Sequence, residues 1–254
     1  MNCWFDYGVD LGGNTLDLAI RMLGDATVSE ALKHLEGTGL YSGHRSPALP
    51  VTRSAYRRPA KTTTEAKEEN QPFELLSARP LEHPALLQYL DKRGINRELA
   101  NRYLSQIDFK RPQSASRYFA LGWPSGDGYE ARNALFKGFV GTRKEITVLE
   151  HPESELLLVF EGFMDFLTYL TIKKLQEAQG TVIILNSGNM KARALPYLQD
   201  KRYSKIQLFL DNDAVGQSTF DLFSSTVESD RLEDMRLFYA GYSDLNEWHL
   251  KRNS

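Results

Sequence analysis

Leu156-Leu157-Leu158-Val159-Phe160-Glu161-Gly162-Phe163-Met164-Asp165 is an unbroken apolar run that ends in a glutamate, a glycine and then an aspartate. A short, continuous apolar run reads as a strand buried on both faces. The acidic end marks where that strand leaves the core. The same device recurs about fifty residues later, where Ile206-Gln207-Leu208-Phe209-Leu210 runs into Asp211-Asn212-Asp213 and Gly216 closes the turn.

Outward from these two strands the chain alternates. The pattern predicts strands at Leu156–Phe160, Thr181–Leu185, Ile206–Leu210 and Met235–Tyr239, with helices at Met164–Gln176, Met190–Leu198 and Val215–Val227 between them. Strands and helices at this spacing mean βαβ units: an α/β fold with a parallel sheet flanked by helices. Right-handed crossovers put the strand C-termini on one edge, the edge where open α/β sheets bind ligands.

Carboxylates gathered at that edge repel one another and lose hydration. A hard divalent cation, Mg²⁺ or Mn²⁺, relieves both costs and takes oxygen ligands. Glu161 ends one strand, and Asp211 and Asp213 end another as alternate residues able to face one ion. Asp165 falls in the first helical turn, near the positive end of the helix. Gly162 and Gly216 lack a Cβ and let a nucleotide or phosphate approach the backbone. One such acidic cap is ordinary. Two in one βαβ array point to a metal-dependent site for phosphate chemistry. In Ser243-Asp244-Leu245-Asn246-Glu247, Asp244 reads equally as a further oxygen ligand and as a helix cap. Asn186, in Asn186-Ser187-Gly188-Asn189, caps the next helix or opens a phosphate-binding turn. Arg132 and Lys137 read equally as substrate contacts and as an exposed strand face.

Upstream, residues 73–150 read as an α+β subdomain. Strands are expected at Phe73–Ala78, Gln106–Phe109, Arg117–Leu121, Tyr129–Phe136 and Ile146–Leu149, with helices at Pro84–Lys92 and Arg97–Leu104. Residues 37–72, rich in Gly, Pro, Ser and Thr, read as a flexible linker. In residues 1–36, Leu11–Asn14 reads as a turn, and Thr15–Met22 and Ser29–Leu35 as helices. This segment is expected to be the tail of a domain whose start is absent.

The 254 residues carry a net charge of −2, so there is no global basic signature, although a local basic groove remains open. Cys3 is the lone cysteine, which excludes an internal disulfide. Neither it nor the five histidines have zinc-ligand spacing, which argues against zinc in this chain. The absence of a GxxxxGK[ST] loop argues against a P-loop ATPase. No apolar run reaches the roughly 20 residues of a membrane span and no signal-peptide layout opens the chain, so a cytoplasmic location is expected.

Glu161–Asp165 together with Asp211–Gly216 resembles the Toprim signature, in the version carried by bacterial DnaG-type primases. Leu90-Asp91-Lys92-Arg93-Gly94-Ile95 is similar to the primase segment ahead of the Toprim sheet. Residues 118–148 are similar to compact primase-like proteins of Bacteroidetes-type mobile elements, and residues 2–20 to the end of the zinc-binding domain that precedes such cores. The resemblance implies a Toprim domain at 151–254, behind the primase-core subdomain at 73–150 and the remnant of a zinc-binding-like domain at 1–36. It implies a primase-like nucleotidyltransferase making short primers on single-stranded DNA from nucleoside triphosphates, for replication or transfer of a mobile element. A replicative or element-encoded helicase is the further partner it suggests. Under it Glu161 is the general base or a metal ligand. Asp211 and Asp213 hold Mg²⁺ (or Mn²⁺) on the triphosphate, Asp165 supports them, and Asp244 is a further metal position. Arg132 and Lys137 fall where primases place basic substrate contacts. The sequence departs from the family at Asn246, in the zinc cysteines and in a carboxy-terminal helicase-binding domain. A Toprim nuclease and a non-catalytic DNA-binding factor are the alternatives; a topoisomerase fits least.

Overall fold

The computed structural model describes residues 3–6, 11–14, 22–23 and 72–252. The chain divides into two compact units, Met1–Ala60 and Lys61–Ser254. In the first, β1 (Cys3–Asp6) pairs antiparallel with β2 (Leu11–Asn14). Leu11–Asn14, expected as a turn, is therefore a strand: its backbone ladder with β1 outweighs the turn preference of Gly12 and Gly13. Most of the expected helices at 15–22 and 29–35, and all of the linker but residue 72, lie outside the described residues.

The second unit opens with β3 (Glu74–Arg79), α1 (Pro84–Lys92), α2 (Arg97–Tyr103), β4 (Ser105–Lys110), β5 (Arg117–Ser125), β6 (Gly128–Arg132) and β7 (Lys137–Val140). Local chemistry sets the helix ends. Pro84 starts α1, where its missing N–H is no loss. Gly94, at φ 64°, takes the left-handed turn after α1, and the Asn96 side chain caps α2 by accepting the Leu99 N–H at 3.0 Å.

The five strands pair antiparallel in the order β3-β4-β5-β6-β7. A bridge from Phe73 to Val140 joins the two edges, so the sheet curls shut around Ile107, Phe109, Ala120, Ala131 and Val140. The strand expected over Tyr129–Phe136 ends at Arg132, and residues 133–136 turn the chain back into β7. Asn133 breaks it: its amide donates to the Phe119 carbonyl at 2.7 Å and its side-chain oxygen accepts the Leu135 N–H at 2.8 Å. Such side-chain-to-backbone bonds are the turn chemistry of asparagine.

The second sheet contains β8 (Thr147–Leu149), β9 (Leu156–Phe160), β10 (Thr181–Ile184), β11 (Lys205–Phe209) and β12 (Leu232–Asp234), in the order β12-β11-β9-β10-β8. Four strands run parallel, and β8 is an antiparallel edge strand beside β10. Thr147–Leu149, expected with the strands before it, thus belongs to this sheet.

Helices α3 (Phe163–Lys173), α4 (Leu195–Gln199), α5 (Ala214–Ser224) and α6 (Leu245–Arg252) flank it. Alternation along β9 explains both layers. Leu158 and Phe160 join the core of α1, α2 and α3, whereas Leu157 and Val159 join the core that holds Leu198 and Phe223 of α4 and α5. The apolar run was unbroken because both faces are covered.

Two expected elements differ in kind. Met235–Tyr239, read as a strand, is a 3₁₀ helix; the strand is Leu232–Asp234 just before it. Leu237 and Phe238 are 80% and 54% exposed, so the burial that a central strand needs is missing. The helix expected over Met190–Leu198 is a 3₁₀ turn, Gly188–Ala194, followed by α4. Pro196 has no N–H to continue an α-helical ladder through the junction.

The two sheets share one core. Trp123 of β5 stacks on Phe163 of α3 at 5.7 Å and 6°, and donates its indole N–H to Thr147 Oγ1 at 2.9 Å. Trp123→Ala is expected to cost about 3–5 kcal/mol, lowering the thermal midpoint by roughly 10 °C. Calorimetry of the full chain checks this.

Candidate active site

The ends of β9 and β11 are tied together by backbone geometry. Phe160 and Phe209 are register partners, and the Glu161 N–H donates to the Phe209 carbonyl at 3.1 Å. One turn further, the Asp211 N–H donates to Glu161 Oε2 at 3.1 Å. Asp213 caps α5, accepting the Val215 and Gly216 N–H groups at 2.8 Å each. Gly216 is buried, and a Cβ there would lie 2.0 Å from the Asp211 carbonyl oxygen. The chain's own backbone already requires glycine here. Gly162 differs: a Cβ there meets nothing nearer than Asp165 Oδ2 at 3.7 Å, so internal packing does not demand glycine.

Asp165, 8% exposed, accepts the Asn246 N–H at 3.2 Å. Asn246 is fully buried. Its amide donates to the Arg93 carbonyl and to Thr168 Oγ1, both at 2.8 Å, so it knots α1, α3 and α6 together. Asp244 accepts the Glu247 N–H at 2.6 Å, as a helix cap does. Its charge also acts on Asp165 and Asp211, so it faces the carboxylate group as well. The Asn212 amide holds the loop by donating to the Tyr242 carbonyl at 2.8 Å, and the buried Tyr239 hydroxyl donates to the Leu210 carbonyl at 2.7 Å. Asn186 sits at φ 60° and donates to the Glu145 carbonyl and Thr147 Oγ1, tying β10 to β8. Its own amide oxygen is buried and has no hydrogen-bond partner among the described residues.

The electrostatics follow from this crowding. Burial, then the charges of Asp165, Glu161 and Asp244, push the Asp211 carboxyl up to about 8. Burial, then Asp244, push Asp165 up to about 7. Burial also raises Glu161, with Asp213 adding to the effect against the Asp211 N–H. The Asp211 carboxylate accepts no hydrogen bond from the described residues. Four cations act on this group from around it: Lys137 on Glu161 and Asp211, Lys191 on Glu161, and Arg132 and Arg93 on Asp165. Among the described residues none of the four has an ion-pair partner within 4 Å. Lys191 is held instead by Ser218 Oγ at 2.6 Å.

The donor set is oxygen-only and carries surplus negative charge, which is the chemistry Mg²⁺ or Mn²⁺ requires. As they stand, no three acidic, His or Cys side chains among the described residues converge closely enough to share one ion. Each of Glu161, Asp165, Asp213 and Asp244 turns one oxygen onto a backbone N–H, and its second oxygen is left for another ligand.

Arg93 and Lys191 were not singled out from sequence as site residues. Arg93 reaches Asp165 only because the Gly94 turn packs on α6, with His249 Nε2 hydrogen-bonded to the Gly94 carbonyl at 3.1 Å. No local periodicity reports a contact across about 150 residues. Lys191 lies just past the Asn186–Asn189 turn that the sequence did mark as a phosphate candidate.

Residues 158–249 match the Toprim-like family. Residues 75–141 match a domain of unknown function, DUF8464. The Toprim-like region thus spans β9 to α6 and holds all five carboxylates, while Arg132 and Lys137 come from the other match. No curated protein sequence matches the chain. Among solved structures, the primase fragment of the bacteriophage T7 primase-helicase protein is similar over 75% of this chain and 81% of its own, at 15% identity and a TM-score of 0.49. A chain from the structure of bacteriophage T7 lagging-strand DNA polymerase with primase domains of two gp4 subunits, bound to an RNA/DNA hybrid and dTTP, is similar over 70% of this chain and 87% of its own, at 14% identity and a TM-score of 0.45.

Proposed function

We propose that this protein is a primase-like nucleotidyltransferase that joins nucleoside triphosphates into short primers on single-stranded DNA. The observation that carries the reading is the state of Asp211. Its carboxyl feels the charges of Asp165, Glu161 and Asp244 at a strand end and accepts no hydrogen bond from the described residues. Lys137 is the cation acting on it, with Lys191, Arg132 and Arg93 acting on its carboxylate neighbours. Carboxylates and cations held apart in this way form two half-sites, one for a divalent metal and one for phosphate oxygens.

Asp165, Asp211, Asp213, Asp244 and Glu161 are the residues that would hold Mg²⁺ or Mn²⁺. Bound there, the ion supplies charge neutralisation at the α-phosphate and acidifies the attacking hydroxyl. The chain's own residues do the rest. Lys137, Arg132, Lys191 and Arg93 bind and orient phosphates. Glu161, whose proton affinity is raised by burial, accepts the proton of a 3′-hydroxyl. The oxygen then bonds to the α-phosphorus, and pyrophosphate leaves with the electron pair of the broken P–O bond. Service to a mobile element and a helicase partner complete the proposal, and they rest on the sequence resemblance.

One labelled nucleotide added to an annealed primer–template tests the chemistry. Glu161→Gln is expected to slow the addition by about 100-fold or more, the scale of a lost general base. Strand cutting in place of addition would favour the nuclease alternative.

A further inference from the structure

The face of the curled sheet that packs on the helical core at Leu121 and Trp123 continues, beyond Leu121, to a feature that the nucleotidyl-transfer centre does not use: the half-buried Phe119 ring at the margin of that core. Cross-strand partners share a face of a sheet, so Lys137, Arg132 and Leu121 lie in one row. Phe119 is the next residue of β5 on that face, about 7 Å along the strand, and Arg117 is the one after it. The Phe119 ring lies against the His83 ring with centroids 4.0 Å apart and planes tilted 30°. Both are only half-buried.

The pair is rigidly mounted. The His83 N–H donates to the buried Gln106 side chain at 3.0 Å, and the His83 ring accepts the Ala85 N–H at 3.2 Å. The Phe119 carbonyl accepts the Asn133 amide. The one acid opposite Phe119 in the ladder, Asp108, is neutralised by Arg79 at 2.9 Å. The face therefore reads Arg117, the aromatic pair, buried Leu121, then Arg132 and Lys137, the two cations that act on the carboxylates.

We infer that Phe119, backed by His83, is a base-stacking platform for a single-stranded nucleic acid whose phosphates run between Arg117 and Arg132. The inference rests on the nucleic-acid substrate of the functional reading above. Single-strand binders combine a basic track with aromatic faces, because every base offers a π-face whatever its sequence. Arg117, Arg132 and Lys137 supply the charge complementarity, and none has an ion-pair partner within 4 Å among the described residues.

Fluorescence anisotropy of the full chain at fixed salt tests it, with a labelled thymidine oligonucleotide and an abasic oligonucleotide of equal length as probes. Wild type is expected to bind the thymidine strand about tenfold more tightly than the abasic one. Phe119→Ala should erase that preference and leave abasic binding unchanged, while Phe119→Trp should keep it. Circular dichroism establishes that the variants are folded, and the wild-type comparison of the two probes needs no variant. Equal binding of the two probes by wild type, or a preference that survives in Phe119→Ala, overturns the platform. Wild-type nucleotide addition is measured separately. A failed platform with intact addition overturns this inference alone, and failure of both overturns the functional reading with it.

Discussion

Without a divalent cation, the thermal midpoint of this protein should fall as the pH rises from about 5 to about 8.5, and Mg²⁺ should cancel most of the fall. Asp165 and Asp211 have an ordinary carboxyl value of 3.8 when unfolded and reach about 7 and about 8 when folded. An acid whose folded value is the higher binds more protons folded than unfolded, so raising the pH through that window lowers stability. The contribution is fully present below the unfolded value and is lost as both groups ionise against Glu161 and Asp244.

The two groups repel each other, so their effects do not add. A combined loss on the order of 2 kcal/mol follows, or about 4–8 °C in the midpoint. A cation bound by these carboxylates removes the repulsion and binds most tightly when they are ionised. Its stabilisation should therefore grow with pH. Asp211→Asn should flatten the metal-free pH profile and raise the midpoint near pH 8. Scanning calorimetry in a chelator and in millimolar Mg²⁺ reads all three. A midpoint that climbs toward pH 8 in the chelator, or is indifferent to Mg²⁺ there, would contradict this account of the cluster.

Gly216→Ala should be the most damaging small substitution in the site. The new Cβ falls 2.0 Å from the Asp211 carbonyl oxygen, a backbone atom that no side-chain rotation can clear. Either α5 lifts from the strand end or Asp211 moves. The cost is about 3 kcal/mol, at the upper end for overpacking. A displacement of about 1 Å at Asp211 also lowers activity by about 100-fold in variant molecules that remain folded. Gly162→Ala is the control. Its Cβ has ordinary van der Waals room, so the change should be no more than the cap preference of glycine over alanine at the start of α3, about 0.5–1 kcal/mol. A loss of activity at Gly162 with stability kept would place that position against substrate. Equal denaturation midpoints for Gly216→Ala and wild type would show that the strand-end geometry is not fixed as described.

The parallel sheet was legible because β9 is buried on both faces and so reads as one apolar word; Leu156–Phe160 is the strand residue for residue. Helix α1 was equally plain, since Pro84 and Gly94 punctuate both of its ends. What the sequence obscured is tertiary. Met235–Tyr239 has the apolar content of a strand, yet Leu237 and Phe238 face solvent while Tyr239 spends its hydroxyl on the Leu210 carbonyl. Thr147–Leu149 has strand character in either sheet, and only pairing with β10 decides which. At the site, the acids stood out because each follows an apolar run. Of the cations, Arg132 and Lys137 could be marked from their glycine-flanked strands, whereas Arg93 and Lys191 could not, because only folding brings their segments to Asp165 and Glu161. Gly216 was conspicuous, but the close approach of the Asp211 carbonyl that requires it is tertiary and not legible.

The most direct test is synthesis on a single-stranded DNA template from labelled nucleoside triphosphates with Mg²⁺ or Mn²⁺, comparing wild type with Asp211→Asn. The account predicts metal-dependent labelled oligomers from wild type and at least about a 100-fold loss in the variant. Equal synthesis by both proteins would remove Asp211 from the centre of the chemistry. No synthesis by a folded, metal-binding wild type would contradict the nucleotidyltransferase itself.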